Sequence, residues 1–407
     1  MNRKLFVSII CTLSILLVIL FPILSIPVNL AGLVFAKGKM RKMYGFLLAF
    51  SFSMIAYMWN PDTTMDLYRH HEQVQLFSGF NMNQLGNIIQ SELEPMNYLI
   101  KFFVAQTGNV DLLQLFVILC GFSELLWMIC DFAEIKKMKK IPFILLFIYG
   151  VTAVRFVDFA SGLWCNFAII NMALGVYLQY FKKAKYTQYI LYLLSACLHI
   201  GSVYVVALVV LFSKVRIFKK VRWPILLTTF VCLLSFGGIV MLLNELFGAD
   251  SSLMIIVNRM YKGYFINGNQ FDSLHTGWNL ILPVTTMLLG LMLSARPFKN
   301  ETTNEYRSLV MYLIVSLLAS IMNAGVFVRF GFLVSILLIP VIYEYIEGER
   351  KGKITSLLIM SGLLVLIAAQ ADRSFSQMKS AGMMQEIEEN ANSSSVEIID
   401  TKVGGSI

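Results

Sequence analysis

Apolar runs long enough to sit in a lipid bilayer follow one another along almost the whole chain, with short Lys/Arg clusters between them. Met43 to Trp59, Leu112 to Cys130 and Ala160 to Phe181 are typical. Hydrocarbon offers no partner to a backbone N–H or C=O, so a chain of this kind folds into spanning helices or a closed barrel. The period-2 alternation of a barrel is absent. Only 14% of the 407 residues are charged, against about 25% in soluble domains. The expectation is an all-α, polytopic membrane bundle of about 11 to 13 spans. It occupies residues 1–371, with outer loops at 60–94 and 248–278. Residues 372–407 are acidic and rich in Ser and Asn, and are expected to form a disordered tail.

The net charge of +9 comes from Lys and Arg in short loops. That is the orientation bias of membrane proteins, not a nucleic-acid signal. Lys37, Lys39, Arg41 and Lys42 form the first basic cluster, assigned to the cytoplasm, and Met43 to Trp59 then crosses outward. The two large outer loops hold only Arg69, Arg259 and Lys262. The six cysteines lie in or beside apolar segments without CxxC spacing, and read as packing residues. Before the first basic cluster, Leu5 to Ala36 is broken by Pro22 and Pro27, as one tilted span or a tight pair.

Residues 60–94 depart from this pattern. Asp62, Asp66, Arg69, His70, His71, Glu72, Glu92 and Glu94 all fall there, with two of the four histidines. Singly, each is an ordinary solvated-loop charge. Together they mark a polar site on one face of the bilayer. Asp62 and Asp66 stand i, i+4, which on a helix puts both on one face, for a cation or a base. His70 and His71 are adjacent and point apart, so they do not form a two-His metal site alone. Glu94 precedes Pro95, where it either caps an interfacial helix or serves as a surface carboxylate.

Three later units repeat one design: apolar arm, a lone ionisable residue, apolar arm, basic cluster. The lone residues are Arg155, His199 and Arg329. Each unit reads as a hairpin whose tip carries that residue near the outer face. The His199 arms are short, so this unit is either re-entrant or one long helix with His199 inside. An Arg at membrane depth costs about 2.5–3.5 kcal/mol, so it has a partner or a task. Either Arg155 and Arg329 pair with carboxylates such as Asp158, or they clamp an anion with their planar forks. His199, in LSACLHIGSVY, is either a packed core residue or a proton-transfer group. HExxH, Walker A, GxSxG and GxGxxG motifs are absent.

The stretch Asp66, Tyr68, Arg69, His70, then Glu94, Pro95, Asn97, Tyr98, Leu99, then Arg155, then Ala196, His199, Ser202, and finally Arg329, Leu333 resembles the EpsG-like family of bacterial exopolysaccharide proteins. These are related in role to Wzy-type polymerases. The long N-terminal apolar block and His71 depart from that pattern. The resemblance implies a fold similar to GT-C-like glycosyltransferases in the bacterial cytoplasmic membrane. It also implies polymerisation of oligosaccharide repeat units carried on a polyprenyl diphosphate. An acceptor sugar hydroxyl would attack the donor's anomeric carbon, and the lipid diphosphate would leave. His199, Asp66 and Glu94 are then the candidate bases. Arg155, Arg329, Arg69, His70 and Arg259 are the candidate diphosphate or glycan ligands. No metal or other cofactor is required, since arginines neutralise the diphosphate. Membrane lipids, a flippase and a chain-length regulator are the expected partners. A lipid-linked oligosaccharide transporter, another glycan transferase or ligase, and a non-catalytic assembly protein are the competing readings.

Overall fold

The computed structural model describes residues 3–404, apart from 235, 249–250, 263–276, 296, 299, 322–323 and 348–352. Some helical side chains, Arg259 among them, also lie outside the description. Among the described residues every regular element is helical. The chain divides into two compact units, residues 1–167 with 371–407, and residues 168–370.

The first unit begins with α1 (Arg3–Leu20) and α2 (Ser25–Phe35), parted by a turn at Pro22. The N-terminal apolar block is therefore two helices. α3 (Lys39–Met58) follows the three-residue link 36–38, so Arg41 and Lys42 sit on a helix, not in a loop. Next come α4 (Asp66–Leu76), α5 (Met82–Ser91), α6 (Pro95–Ala105), α7 (Leu112–Ile135), α8 (Lys140–Ala153), α9 (Phe156–Ser161) and α10 (Leu163–Phe181), the last running on into the second unit. The expected outer loop 60–94 is thus largely helical. Asn81 and Gln84 form a reciprocal capping box that starts α5.

The core of this unit is the pairing of α3 with α7. Leu48, Ala49, Met54, Leu125 and Leu126 are fully sequestered or nearly so. Phe52 and Phe122 meet edge to face at 5.1 Å. The basic end is held by ion pairs, Arg41 to Glu134 at 2.9 Å and Lys42 to Asp131 at 2.5 Å. Gly32 lets α2 lie against α3, because a Cβ there would meet the Tyr44 ring at 2.4 Å.

The second unit holds the rest of α10, then α11 (Thr187–Leu198), α12 (Ser202–Lys214), a 3-10 turn at Arg216–Lys219, α13 (Trp223–Leu234), α14 (Phe236–Phe247), α15 (Ser252–Tyr261), α16 (Trp278–Ser294), α17 (Glu301–Ala319), α18 (Ala324–Glu347) and the start of α19 (Lys353–Ser380). α16, α17 and α18 pack on one another. Tyr306 donates to the Leu337 carbonyl at 2.6 Å and Arg307 to the Ser294 carbonyl at 3.0 Å. The expected second outer loop contains α15.

The three repeated units divide in a different way from the expectation. His199 ends α11 in extended backbone (φ −152°, ψ 119°) and α12 begins three residues later, so it is a hairpin and not one long helix. Its arms of 12 and 13 residues rise about 18–20 Å, short of a hydrocarbon core of about 30 Å. Arg155 does lie between helices, as expected. Arg329 does not: α17 ends at Ala319, and Arg329 is inside α18.

Against the expected crossings of about 11 to 13, three helices among the described residues are long and apolar enough to span: Leu112–Ile135, Val326–Glu347 and Leu357–Ser380. Seven further apolar helices are shorter.

The expected disordered tail is folded. α19 runs to Ser380, and α20 (Met383–Glu389) and α21 (Ser395–Gly404) follow it, with the residues from 371 on belonging to the first unit. Composition misleads here because two apolar residues suffice as anchors. Met383 is 0% and Ile398 2% exposed.

Candidate functional site

The polar segment becomes a site where α4, α6 and the start of α10 meet. Lys101 is its centre. It is the lone charge of the helix PMNYLIKFFVA and is 1% exposed. Its ammonium donates to Gln73 Oε1 of α4 at 2.5 Å. It also lies over the rings of Trp164 (5.4 Å) and Tyr98 (5.6 Å), so two π faces stand in for water. Burial, reinforced by Arg69 and opposed by Glu94, holds the Lys101 ammonium down to about 7.

His70 faces the same place. Its ring meets Trp164 edge-on at 6.0 Å, and Nδ1 is 3.5 Å from Gln73 Oε1. Burial first, then Lys101 and Arg69, depress His70 to about 3. The ring is neutral at physiological pH, so it offers hydrogen bonds but no charge to a diphosphate.

Glu94 caps α6 by position and accepts from Asn97 Nδ2 at 3.0 Å. Asn97 is itself buried, and its Oδ1 has no hydrogen-bond partner. Glu94, at the N-cap, is near enough to Lys101 for its charge to favour the ammonium. Asp66 is the first residue of α4, where a carboxylate complements the helix dipole. It pairs with Arg69 at 3.2 Å, both side chains well exposed. The expected one-face pairing of Asp62 with Asp66 does not form. Asp62 precedes the helix and accepts from the Thr64 backbone N–H at 2.8 Å, which holds its carboxyl below the usual range.

Arg155 joins this region through α9, which packs against α4. Its backbone is left-handed (φ 45°, ψ 86°). That conformation costs a non-glycine residue about 1–3 kcal/mol and is tolerated where surroundings enforce it. Its guanidinium pairs with Asp158 Oδ2 at 3.0 Å. The partner expectation for Arg155 therefore holds, and the pair leaves guanidinium donors over for another acceptor.

His71 points elsewhere, as adjacency on a helix requires. Its Nε2 donates to Gln114 Oε1 at 2.7 Å, and Gln114 donates to Asp111 Oδ1 at 3.1 Å. Burial outweighs these partners and lowers the His71 ring below its usual value.

The structure thus places Asp66, Arg69 and His70 on α4, and Glu94 and Arg155 at the N-caps of α6 and α9, the helices that pack on it within one unit. His199, Arg259 and Arg329 belong to the other unit. His199 sits at the α11–α12 turn, and Arg329 is half-buried between Val328 and Phe330 on α18. Arg259 lies on α15, with its side chain outside the description. Lys101, Gln73 and Trp164 were not legible as site residues, although a single lysine in an apolar helix is a signal. Among the described residues no three His, Cys, Asp or Glu side chains converge on a metal position.

No curated protein and no solved structure matches the chain. The likeness to GT-C-like enzymes therefore rests on family resemblance alone. The EpsG family matches residues 41–387. That span runs from the first basic helix through the polar site to α20, and the chain is accordingly a membrane protein that belongs to the EpsG family.

Proposed function

We propose that this protein is a polysaccharide polymerase. It joins oligosaccharide repeat units carried on a polyprenyl diphosphate, at the outer face of the bacterial cytoplasmic membrane. The observation that carries the reading is the grouping of Arg69 and Lys101 with the Glu94 carboxylate, next to α9, which packs on α4 and is headed by Arg155. Family membership supports polysaccharide polymerisation as the task.

The chemistry needs two things from the protein. The acceptor hydroxyl oxygen bonds to the donor's anomeric carbon as the carbon–oxygen bond to the lipid diphosphate breaks. The hydroxyl proton must go to a base, and the departing diphosphate gains charge as it leaves. Glu94 is the base in this reading. It is held by Asn97 and its charge acts on the Lys101 ammonium. Asp66 is less suited, since it is exposed and paired with Arg69. Arg155 and Arg69 stabilise the leaving diphosphate, with bidentate geometry available to each. Lys101 supplies a nearby positive charge, and His70 and Gln73 orient it. His199 as a base and Arg259 and Arg329 as anion ligands, all in the second unit, are proposed in their own right. Since the leaving group is neutralised by side chains, the mechanism uses no metal. A flippase that delivers lipid-linked units and a chain-length regulator are the partners this reading calls for.

The test is substitution in the native host, with surface and lipid-linked glycans resolved as a ladder and membrane protein measured alongside. E94Q, R155A and R329A at normal protein levels should each remove the long polymer and leave single repeat units displayed outside. Single units retained inside would instead mark a transporter. An unchanged ladder in all three would sink the polymerase reading of these residues.

A further inference from the structure

The segment after residue 371 belongs to the first unit and reaches two of its carboxylates, Asp158 beside Arg155 and Asp111 in the His71 cluster. At its start, Gln377 of α19 donates from Nε2 to Asp158 Oδ1 at 2.8 Å. The other oxygen of Asp158 holds the Arg155 guanidinium. At its end, Lys402 of α21 stands 3.8 Å from Asp111 Oδ2 and donates to Asn60 Oδ1 at 2.5 Å. The other oxygen of Asp111 receives Gln114, which receives His71, the neighbour of His70.

Between these ends the segment is fastened throughout. Trp59 donates to the Ala381 carbonyl at 2.9 Å, and Asn60 donates to Glu386 at 2.9 Å. Ser395 donates to the Val18 carbonyl at 3.1 Å, and Tyr57 reaches the Ile399 carbonyl at 3.5 Å. Gly382, at φ 73°, makes the turn from α19 to α20 that an L residue would strain. A polar tail needing only solubility has no reason to present its amide to the carboxylate that holds Arg155 and its ammonium to the carboxylate of the His71 cluster.

We propose that the C-terminal segment is a positioning strap for the outer-face site, with Gln377 orienting Asp158 and so Arg155, and Lys402 orienting Asp111 and so the His71 face of α4. The inference rests on the polymerase reading of that site. Gln377 and Lys402 touch no substrate. They act through Arg155 and α4, so their loss is felt only where those elements are used. The strap also makes residues 377–402 a working part of the site, so removal of them reaches Arg155.

The experiment uses full-length protein in native membranes, with the glycan ladder normalised to protein amount. Q377A and K402M should each lower polymerisation per molecule by on the order of tenfold, as for neighbours in one hydrogen-bonded network. K402R, which keeps the charge, should restore it. A second readout needs no activity. A cysteine placed by S161C, at the end of α9, should react faster with a membrane-impermeant maleimide when Q377A is also present. Where R155A is defective, the proposal is overturned by normal per-molecule polymerisation in Q377A and K402M; an unchanged labelling rate overturns it in any case. A normal ladder in R155A, with faster labelling in Q377A, would keep the strap and remove the polymerase role of Arg155.

Discussion

The ammonium of Lys101 donates to the side-chain oxygen of Gln73, 28 residues earlier, at 2.5 Å, and so ties α6 to α4 inside an aromatic cage. A lysine held this way is a titrating group at neutral pH and not a permanent cation. Burial gives it a value near 7.

Polymerisation should therefore lose rate as pH rises through about 7 to 8, where the Lys101 proton leaves. K101R carries a guanidinium that stays charged throughout this range. If the positive charge is what matters, K101R should retain activity at pH 8.5 better than the unmodified chain does. A pH profile of chain elongation in membrane vesicles checks this. Identical alkaline limbs for the two proteins would refute it.

Acid should loosen α4 through His70. Its folded value is near 3, below the 6.5 of an unfolded histidine. Between those two values the unfolded chain binds the extra proton, so stability falls as pH is lowered from 6.5 towards 3. H70F abolishes this titration. Its melting temperature in detergent should depend less on pH between 6.5 and 4 than that of the parent protein.

Arg155 separates backbone from side chain. R155G and R155A both remove the guanidinium and should abolish the long polymer. Gly alone accepts φ 45° without strain, so R155G should unfold with about 1 kcal/mol more stability than R155A. Equal stabilities would mean that the turn relaxes around alanine.

G32A tests a close approach of α2 to α3. The new methyl would stand 2.4 Å from the Tyr44 ring. Tyr44 is buried and its ring is rigid, so accommodation requires α2 to move. The expected cost is about 1–3 kcal/mol, read as a lower unfolding midpoint. The double variant G32A/Y44A should recover part of it.

Much of the site was written locally. Glu94 before Pro95 marks the start of α6, Asp66 starts α4, and Arg155 and His199 interrupt apolar arms where the chain turns. Arg329 was placed wrongly, because a lone arginine is equally compatible with a turn and with the first turns of a helix. The tail was misread for a different reason. Its composition is polar, but burial of Met383 and Ile398 and a set of single hydrogen bonds outweigh that average.

By itself the sequence determined the helical class and the membrane setting. Both follow from hydropathy and from the need to pair every backbone group within its own segment, and neither depends on which helix neighbours which. It also located the polar segment and, through short motifs spread along the chain, the EpsG family. Only the tertiary structure decided which charges meet. Lys101 with Gln73, Asp158 with Gln377 and Asp111 with Lys402 join residues far apart in the chain. Such pairs form because a buried charge or amide must find a partner wherever packing leaves one, and packing is a property of the whole unit.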